Sequence, residues 1–536
     1  MAFKVSLKRR VEEDEEIILG NKDKELEINE ETFKKLAEEI EKEFQVPENW
    51  RLLESYPLYG KYVFASVHIL HNEEENIVLY YLNEPSLSDK EFNLVNEIVN
   101  KIEYVVVEPE EIRGKSKDEI LKEKVDKTLK DFRIKLEYRN YFRVLYYILR
   151  NTLYYERITP LMYDPYIEDI SCNGYYKPVY VFHRNYANIK TNITFENPDV
   201  LDRFVIKLAQ QCGKHISIAE PMVDASMPDG SRIQMTLGKE VTDHGSTFTI
   251  RKFRQEPITP INLIKWRTFS AEQMAYLWLC IENRKSLIFA GGTASGKTTS
   301  TNAVALFIPR KAKIVTIEDT RELMLPHKNW IPAVTRSGFQ AGAADIDMYD
   351  LLKAALRQRP EYIIVGEVRG KEALTLFQAM ATGHTTYSTI HADSVDGVIH
   401  RLENPPINVP RPMIEALDII SVQAQTYVND RRVRRNVEIA EIVGLDPHSK
   451  MLRTSTVFQW DGVNDKHVMI GSSKALEDIR KARGWSNKEL QEELDRRKMI
   501  LEYMVENNIV SLREVSNIIY AYQADPEKAM RMLGLK

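Results

Sequence analysis

Three cysteines among 536 residues, Cys172, Cys212 and Cys280, are too few and too scattered for a disulfide framework, and none belongs to a C-x-x-C pair that would bind zinc. Each reads as a small buried hydrophobe. Long apolar runs are missing too. Nothing approaches the ~20 residues of a membrane span, and the first residues hold no secretory apolar segment. The chain is therefore expected in the cytoplasm, touching a membrane only peripherally or through a partner. Nor is there an excess of positive charge. Lys and Arg number 74 against 79 Asp and Glu, and the net charge of −5 argues against a general nucleic-acid binder. There is no internal repeat and no low-complexity stretch beyond a charged N-terminal tail. What is left, 43% hydrophobic and 29% charged residues, describes a soluble globular protein of more than one domain with large cores.

The stretch Gly291-Gly292-Thr293-Ala294-Ser295-Gly296-Lys297-Thr298 fits G-x-x-x-x-G-K-[ST] throughout. Leu287–Ala290 before it predicts a short buried strand, and Thr299–Phe307 after it predicts a helix. In that setting glycines let backbone N–H groups close around phosphate oxygens, and the helix N-terminus adds its positive dipole end. Gly291 to Thr299 are the candidate nucleotide-binding residues. Lys297 is expected on the β- and γ-phosphates and Thr298 on Mg²⁺. The chain is predicted to bind a nucleoside triphosphate.

Residues 1–28 carry a basic cluster (Lys4, Lys8, Arg9, Arg10) and the acidic run Glu12–Glu16, and read as a weakly ordered, solvated tail. From 29 to 115, apolar spacing predicts a helix over Glu30–Phe44, strands over Tyr62–Leu70 and Ile77–Leu82, and a helix capped by Ser88 with Glu91. Residues 116–250 add a broken helical stretch from Ser116 to Tyr155, strands at Val179–His183, Ile233–Leu237 and Thr247–Ile250, and a helix between Val200 and Cys212. Arg232 follows the turn Pro228-Asp229-Gly230-Ser231. Arg251 and Arg254 lie on a hinge linker, 251–260, marked by Pro257 and Pro260, where an arginine can sense a nucleotide. From 261 to 536 helices and strands alternate, which implies a mainly parallel sheet with crossover helices. Strands at Val437–Val443 and Ser455–Trp460 follow, then helices capped at Ser486 and Ser511. The fold expected is an α/β C-terminal domain joined by a flexible linker to an α+β N-terminal domain.

Two apolar runs after the P-loop end in carboxylates. Ile314–Ile317 leads to Glu318 and Asp319, with Glu322 one turn on, and Tyr362–Val365 leads to Gly366, Glu367 and Arg369. In an open α/β sheet ligands bind at the C-terminal strand ends. Carboxylates there can hold Mg²⁺ through water and polarise an attacking water. Gly383–Asp393 predicts a further strand, Thr386–Ile390, with His384 and His391 near its two ends. A histidine at such an edge can bond a γ-phosphate or a neighbouring strand; a metal site is disfavoured for want of a third ligand cluster.

These motifs together resemble the secretion ATPase superfamily of type II and type IV systems, which drives pilus assembly, pilus retraction and archaellum rotation. The resemblance spans about Tyr163 to Ile442. It rests on the P-loop, the aspartate box Glu318-Asp319-Thr320-Arg321-Glu322, the atypical Walker B Val365-Gly366-Glu367-Val368-Arg369, the histidine box Gly383–Asp393, and Leu356-Arg357-Gln358-Arg359-Pro360. Asp164–Gly174 and Pro178–Arg184 are similar to the N-terminal domain of archaeal archaellum and pilus ATPases, and the four-cysteine zinc motif of bacterial assembly ATPases is absent. The resemblance implies a RecA-like C-terminal domain, a homohexameric ring, ATP with Mg²⁺ in a cleft between the two domains, and a polytopic membrane platform protein as partner. Other cytoplasmic motor proteins and a peripheral membrane contact are compatible with it; nucleic acid is not expected. By the same resemblance Lys297, Glu322 and Glu367 are catalytic, Glu367 also holds Mg²⁺ through water, His384 and His391 form the histidine box, and Arg232, Arg251 and Arg254 reach the nucleotide. It does not rank Glu322 against Glu367. It leans to the archaellum motor, with the ATPase of an adhesive type IV pilus or of a type II secretion-like system as the alternative; outside the resemblance, the alternative of another class is a nucleotide-gated assembly scaffold.

Overall fold

The computed structural model describes residues 30–102, 115–253, 256–336, 345–429 and 431–535. The expected tail at 1–28 and Arg254 lie outside the described residues. The chain forms two compact units, residues 1–253 and 254–536.

Among the described residues the first unit is built on nine strands: β1 (Arg51–Gly60), β2 (Val63–Asn72), β3 (Ile77–Asn83), β4 (Ile167–Cys172), β5 (Pro178–His183), β6 (Ala187–Thr194), β7 (Met222–Ser226), β8 (Arg232–Thr236) and β9 (Thr247–Arg251). They form one sheet in the order β1-β2-β3-β6-β5-β4-β9-β8-β7. The helix Pro198–Gln211 packs Leu201, Phe204, Val205 and Leu208 against Ile170, Val181, Met235 and Phe248 of the sheet. β1 escapes a reading by apolar pattern because Pro57 interrupts it. An edge strand tolerates a proline, having a free side that needs no ladder bond, and β1 is the edge. The segment that carries the archaeal resemblance starts at Asp164, which is wholly buried. It accepts from the hydroxyls of Tyr56 at 2.8 Å and Tyr80 at 2.6 Å, so its carboxylate ties β1, β3 and the turn before β4 together.

The second unit holds β10 (Leu287–Gly291), β11 (Ile314–Glu318), β12 (Trp330–Val334), β13 (Tyr362–Val365), β14 (Thr385–Ile390), β15 (Ile419–Val428), β16 (Arg431–Leu445), β17 (Leu452–Asp461) and β18 (Lys466–Met469). Their order is β12-β11-β13-β14-β10-β15-β16-β17-β18. The first six are parallel, and β15 to β18 form an antiparallel meander. Every residue of β10 is buried, as a central parallel strand requires. Leu287 and Phe289 point into one core with the helices Ala271–Glu282 and Asn487–Glu506. Ile288 and Ala290 point into the other, with the helices Glu372–Ala381 and Val395–Glu403. This is the α/β plan expected from the alternating pattern. The C-terminal helices begin where the caps place them: Ser486 and Glu489 form a capping box, and Ser511 accepts from the Glu514 N–H.

Candidate functional site

The P-loop leaves β10 at Gly291, where close packing permits no side chain. A Cβ there would stand 2.3 Å from the Gln423 carbonyl oxygen on β15. Ala294 and Gly296 both take left-handed backbone, with φ +60° and +93°, and turn the chain into the helix Lys297–Val304. Lys297 is nearly buried, and its Nζ donates to the carbonyls of Gly291 (2.9 Å) and Gly292 (2.8 Å). Burial lowers its pKa. Ser295 closes the loop from inside by donating to the Gly292 carbonyl at 2.9 Å. Thr298 is the second residue of that helix, with Thr299 next to it, and Gly292, Thr293 and Ala294 form the exposed rim.

The sheet order brings the ends of β14, β13 and β11 to the same edge as the P-loop. Glu367 lies two residues past β13 and His391 immediately past β14. His391 Nε2 stands 3.1 Å from Glu367 Oε1, and the Arg369 guanidinium donates to Glu367 Oε2 at 2.5 Å. Arg369 also stands 3.9 Å from Asp319, which links the Walker B segment to the aspartate box. Burial resists ionisation of Glu367, but the hydrogen bond and charge of Arg369, with His391 and Lys297, outweigh it and hold the carboxyl below its usual pKa. Burial and the Lys297 charge push His391 below the usual imidazole value. At neutral pH Glu367 is thus a carboxylate, and a neutral His391 donates its Nε2–H to it. Thr389 and Val368 lock the arrangement: Thr389 Oγ1 donates to the Gly366 carbonyl at 2.7 Å, and the Val368 N–H to the Thr389 carbonyl at 2.9 Å.

Glu318 is 2% exposed at the end of β11. Its Oε1 accepts the backbone N–H groups of Glu322 (2.8 Å) and Leu323 (3.0 Å), while its Oε2 is buried without a hydrogen bond. Burial raises its pKa to about 7. Glu318 therefore acts through the backbone, shaping the turn that presents the half-buried Glu322. Gly366 lets the two strand ends approach, since a Cβ there would meet Glu318 Cγ at 3.3 Å.

The other expected residues divide. His384 precedes β14 and contacts Thr382, at the N-terminal edge of the parallel sheet. Six strand residues at ~3.3 Å each put it roughly 20 Å from His391, so the histidine box does not converge on one point. Arg232 and Arg251 are partners across β8 and β9 in the first unit. Arg434 on β16, which the motifs did not single out, donates its Nε to the Ala294 carbonyl at 2.8 Å. The only signal for it was the run Arg431-Arg432-Val433-Arg434-Arg435, unremarkable without the pairing of β15 with β10. Among the described residues no cluster of three His, Cys, Asp or Glu could hold a metal by itself. Mg²⁺ does not demand one: it keeps several waters and is bound by one or two protein oxygens with substrate phosphates. The Thr298 hydroxyl and the Glu367 carboxylate are hard oxygen donors of that kind.

A parallel sheet carrying a P-loop on its central strand and carboxylates on neighbouring strand ends defines a RecA-like nucleotide-binding ATPase fold. The chain belongs to the type II/IV secretion system protein family, whose model matches residues 158–529. An uncharacterized protein of Methanocaldococcus jannaschii is 40% identical over 398 residues, 73% of this chain and 72% of its own. The type IV secretion system protein PtlH of Bordetella pertussis is 31% identical over 276 residues, 45% of this chain and 80% of its own. Among solved structures, the VirB11 ATPase of the Brucella suis type IV secretion system, in complex with sulphate, is 24% identical, covers 52% of this chain and 90% of its own, and has a TM-score of 0.28. Among the described residues no helix is long and apolar enough to cross a membrane.

Proposed function

We propose that this protein is a motor ATPase that hydrolyses ATP to drive a type IV pilus-like filament machine, working as a homohexameric ring against a polytopic membrane platform protein. The observation that carries the reading is the Glu367–Arg369–His391 network at the sheet edge that also bears the P-loop. Lys297 and the loop N–H groups hold the phosphates. Thr298, with Glu367 through water, would hold Mg²⁺, which supplies charge neutralisation on the phosphates. Glu367, ionised and oriented by Arg369 and His391, polarises the attacking water, with Glu322 as the second carboxylate for that role. Arg232, Arg251 and Arg254 stabilise charge on the transferring phosphoryl group. Glu367→Gln with retained ATP binding and normal turnover would remove Glu367 from this role.

The finer assignment within this reading is the archaellum motor. A deletion strain complemented with the wild-type gene tests it. Loss of the swimming filament, restored by the gene, supports the archaellum; intact swimming with lost adhesive pili moves the protein to the pilus branch. Filament assembly by a hydrolysis-dead, ATP-binding variant would instead make the ring a nucleotide-gated scaffold.

A further inference from the structure

β10 has β14, β13 and β11 on one side and β15 on the other. Glu367, His391 and Glu318 all belong to the first side. A triphosphate cradled by the loop with its γ-phosphate toward Lys297 and Glu367 therefore directs its nucleoside to the β15 side. There the β15–β16 hairpin runs on past the loop. Gln425 pairs with Arg434 and Tyr427 with Arg432. Residues directly opposed, and those two apart, share a face, so these four side chains stand together.

Three contacts show that this face adjoins the P-loop. Gln423, two residues before Gln425, donates to Ser300 Oγ on the P-loop helix at 2.6 Å. The Arg434 Nε donates to the Ala294 carbonyl at 2.8 Å. Arg434 Cδ lies 3.4 Å from where a Cβ on Gly296 would sit, so its aliphatic stem follows the outer wall of the loop. Beyond it Arg432 donates to Gln425 Oε1 at 2.7 Å, and Tyr427 is 70% exposed.

We propose that Tyr427, Arg432 and Arg434 form the platform on which the base of the bound nucleotide stacks. The inference deepens the ATP reading above and rests on it. Diagonal neighbours on such a face stand roughly 7–8 Å apart, within reach of one purine ring. A phenol ring and planar guanidinium groups offer flat faces for stacking and cation–π contact. Arg432 holds the Gln425 amide by its oxygen, and the ring and guanidinium faces are the stacking surfaces of the platform. It accepts adenine and guanine alike.

Calorimetric titration of the full chain with ATP, GTP and inorganic tripolyphosphate in the presence of Mg²⁺ tests the platform. Tyr427→Ala and Arg434→Ala are each expected to weaken ATP and GTP about tenfold, the scale of one lost stacking contact. Tyr427→Ala leaves tripolyphosphate within about twofold, and Tyr427→Phe keeps ATP within about twofold, because only the ring face is used. Wild-type ATP affinity in Tyr427→Ala, with Lys297→Ala losing it, overturns the platform alone. Equal losses for ATP and tripolyphosphate in Tyr427→Ala also overturn it, because the hairpin would then act on the loop and not on the base. A wild-type protein that binds neither ligand overturns the nucleotide reading and the platform together.

Discussion

Glu318→Gln isolates one buried charge. The carboxyl is 2% exposed, accepts two backbone N–H groups through Oε1, and has no partner at Oε2. Burial raises its pKa from 4.5 to about 7 despite those two donors. The folded chain therefore holds the proton more tightly than the unfolded chain. Stability is at its full value below pH 4.5, falls as pH rises to about 7, and stays lower above that. At 1.36 kcal/mol per decade the rise corresponds to about 3 kcal/mol. Glutamine keeps the Oε1 acceptor and places an uncharged donor at Oε2, as the protonated acid does. The variant and the wild type are thus expected to agree within about 1 kcal/mol at pH 5, and the variant to be more stable by about 3 kcal/mol at pH 8. Urea denaturation followed by tryptophan fluorescence reads the right unit, because Trp266, Trp278, Trp330, Trp460 and Trp485 all lie in it. Trp330 donates to Thr316 on β11 itself. An equal effect at both pH values, or a loss at pH 8, would refute the buried-charge account.

Glu367→Gln is expected to retain ATP binding and lose turnover by about 10²–10⁴-fold, the range for a positioned base, measured by phosphate release. Gly291→Ala drives a Cβ into the Gln423 carbonyl and can be relieved only by parting β10 from β15. It should lower stability by about 1–3 kcal/mol and abolish nucleotide binding, read by denaturation and calorimetry. His391→Ala should reduce turnover, whereas His384→Ala, at the opposite end of β14, should keep it within about twofold; equal losses would contradict the strand polarity. Because Glu367 and His391 both have lowered pKa values, the acid limb of the turnover–pH profile should fall below the ordinary imidazole value of 6.5. A limb centred above 6.5 would exclude the neutral-His391 arrangement.

Much of this protein follows from short stretches of chain. The P-loop is legible because its eight residues are contiguous and its conformation is local: glycines where the backbone turns left-handed, lysine and threonine where the helix starts. The strands β10, β11, β13 and β14 declare themselves as apolar runs, and the caps at Ser486 and Ser511 as paired polar residues three apart. Strand adjacency has no such local mark. Only the order β11-β13-β14-β10-β15 makes Glu367 meet His391, puts His384 at the far edge, and lays Arg434 against a loop 140 residues earlier in the chain. Burial is equally non-local. Glu318 and Glu322 look alike as letters, yet the packing of β11 under Gly366 buries the first and turns it into a backbone brace. Residue type set the available chemistry; the folded sheet decided which side chains share a dielectric and a distance, and those two quantities make a carboxylate a base, a brace or a bystander.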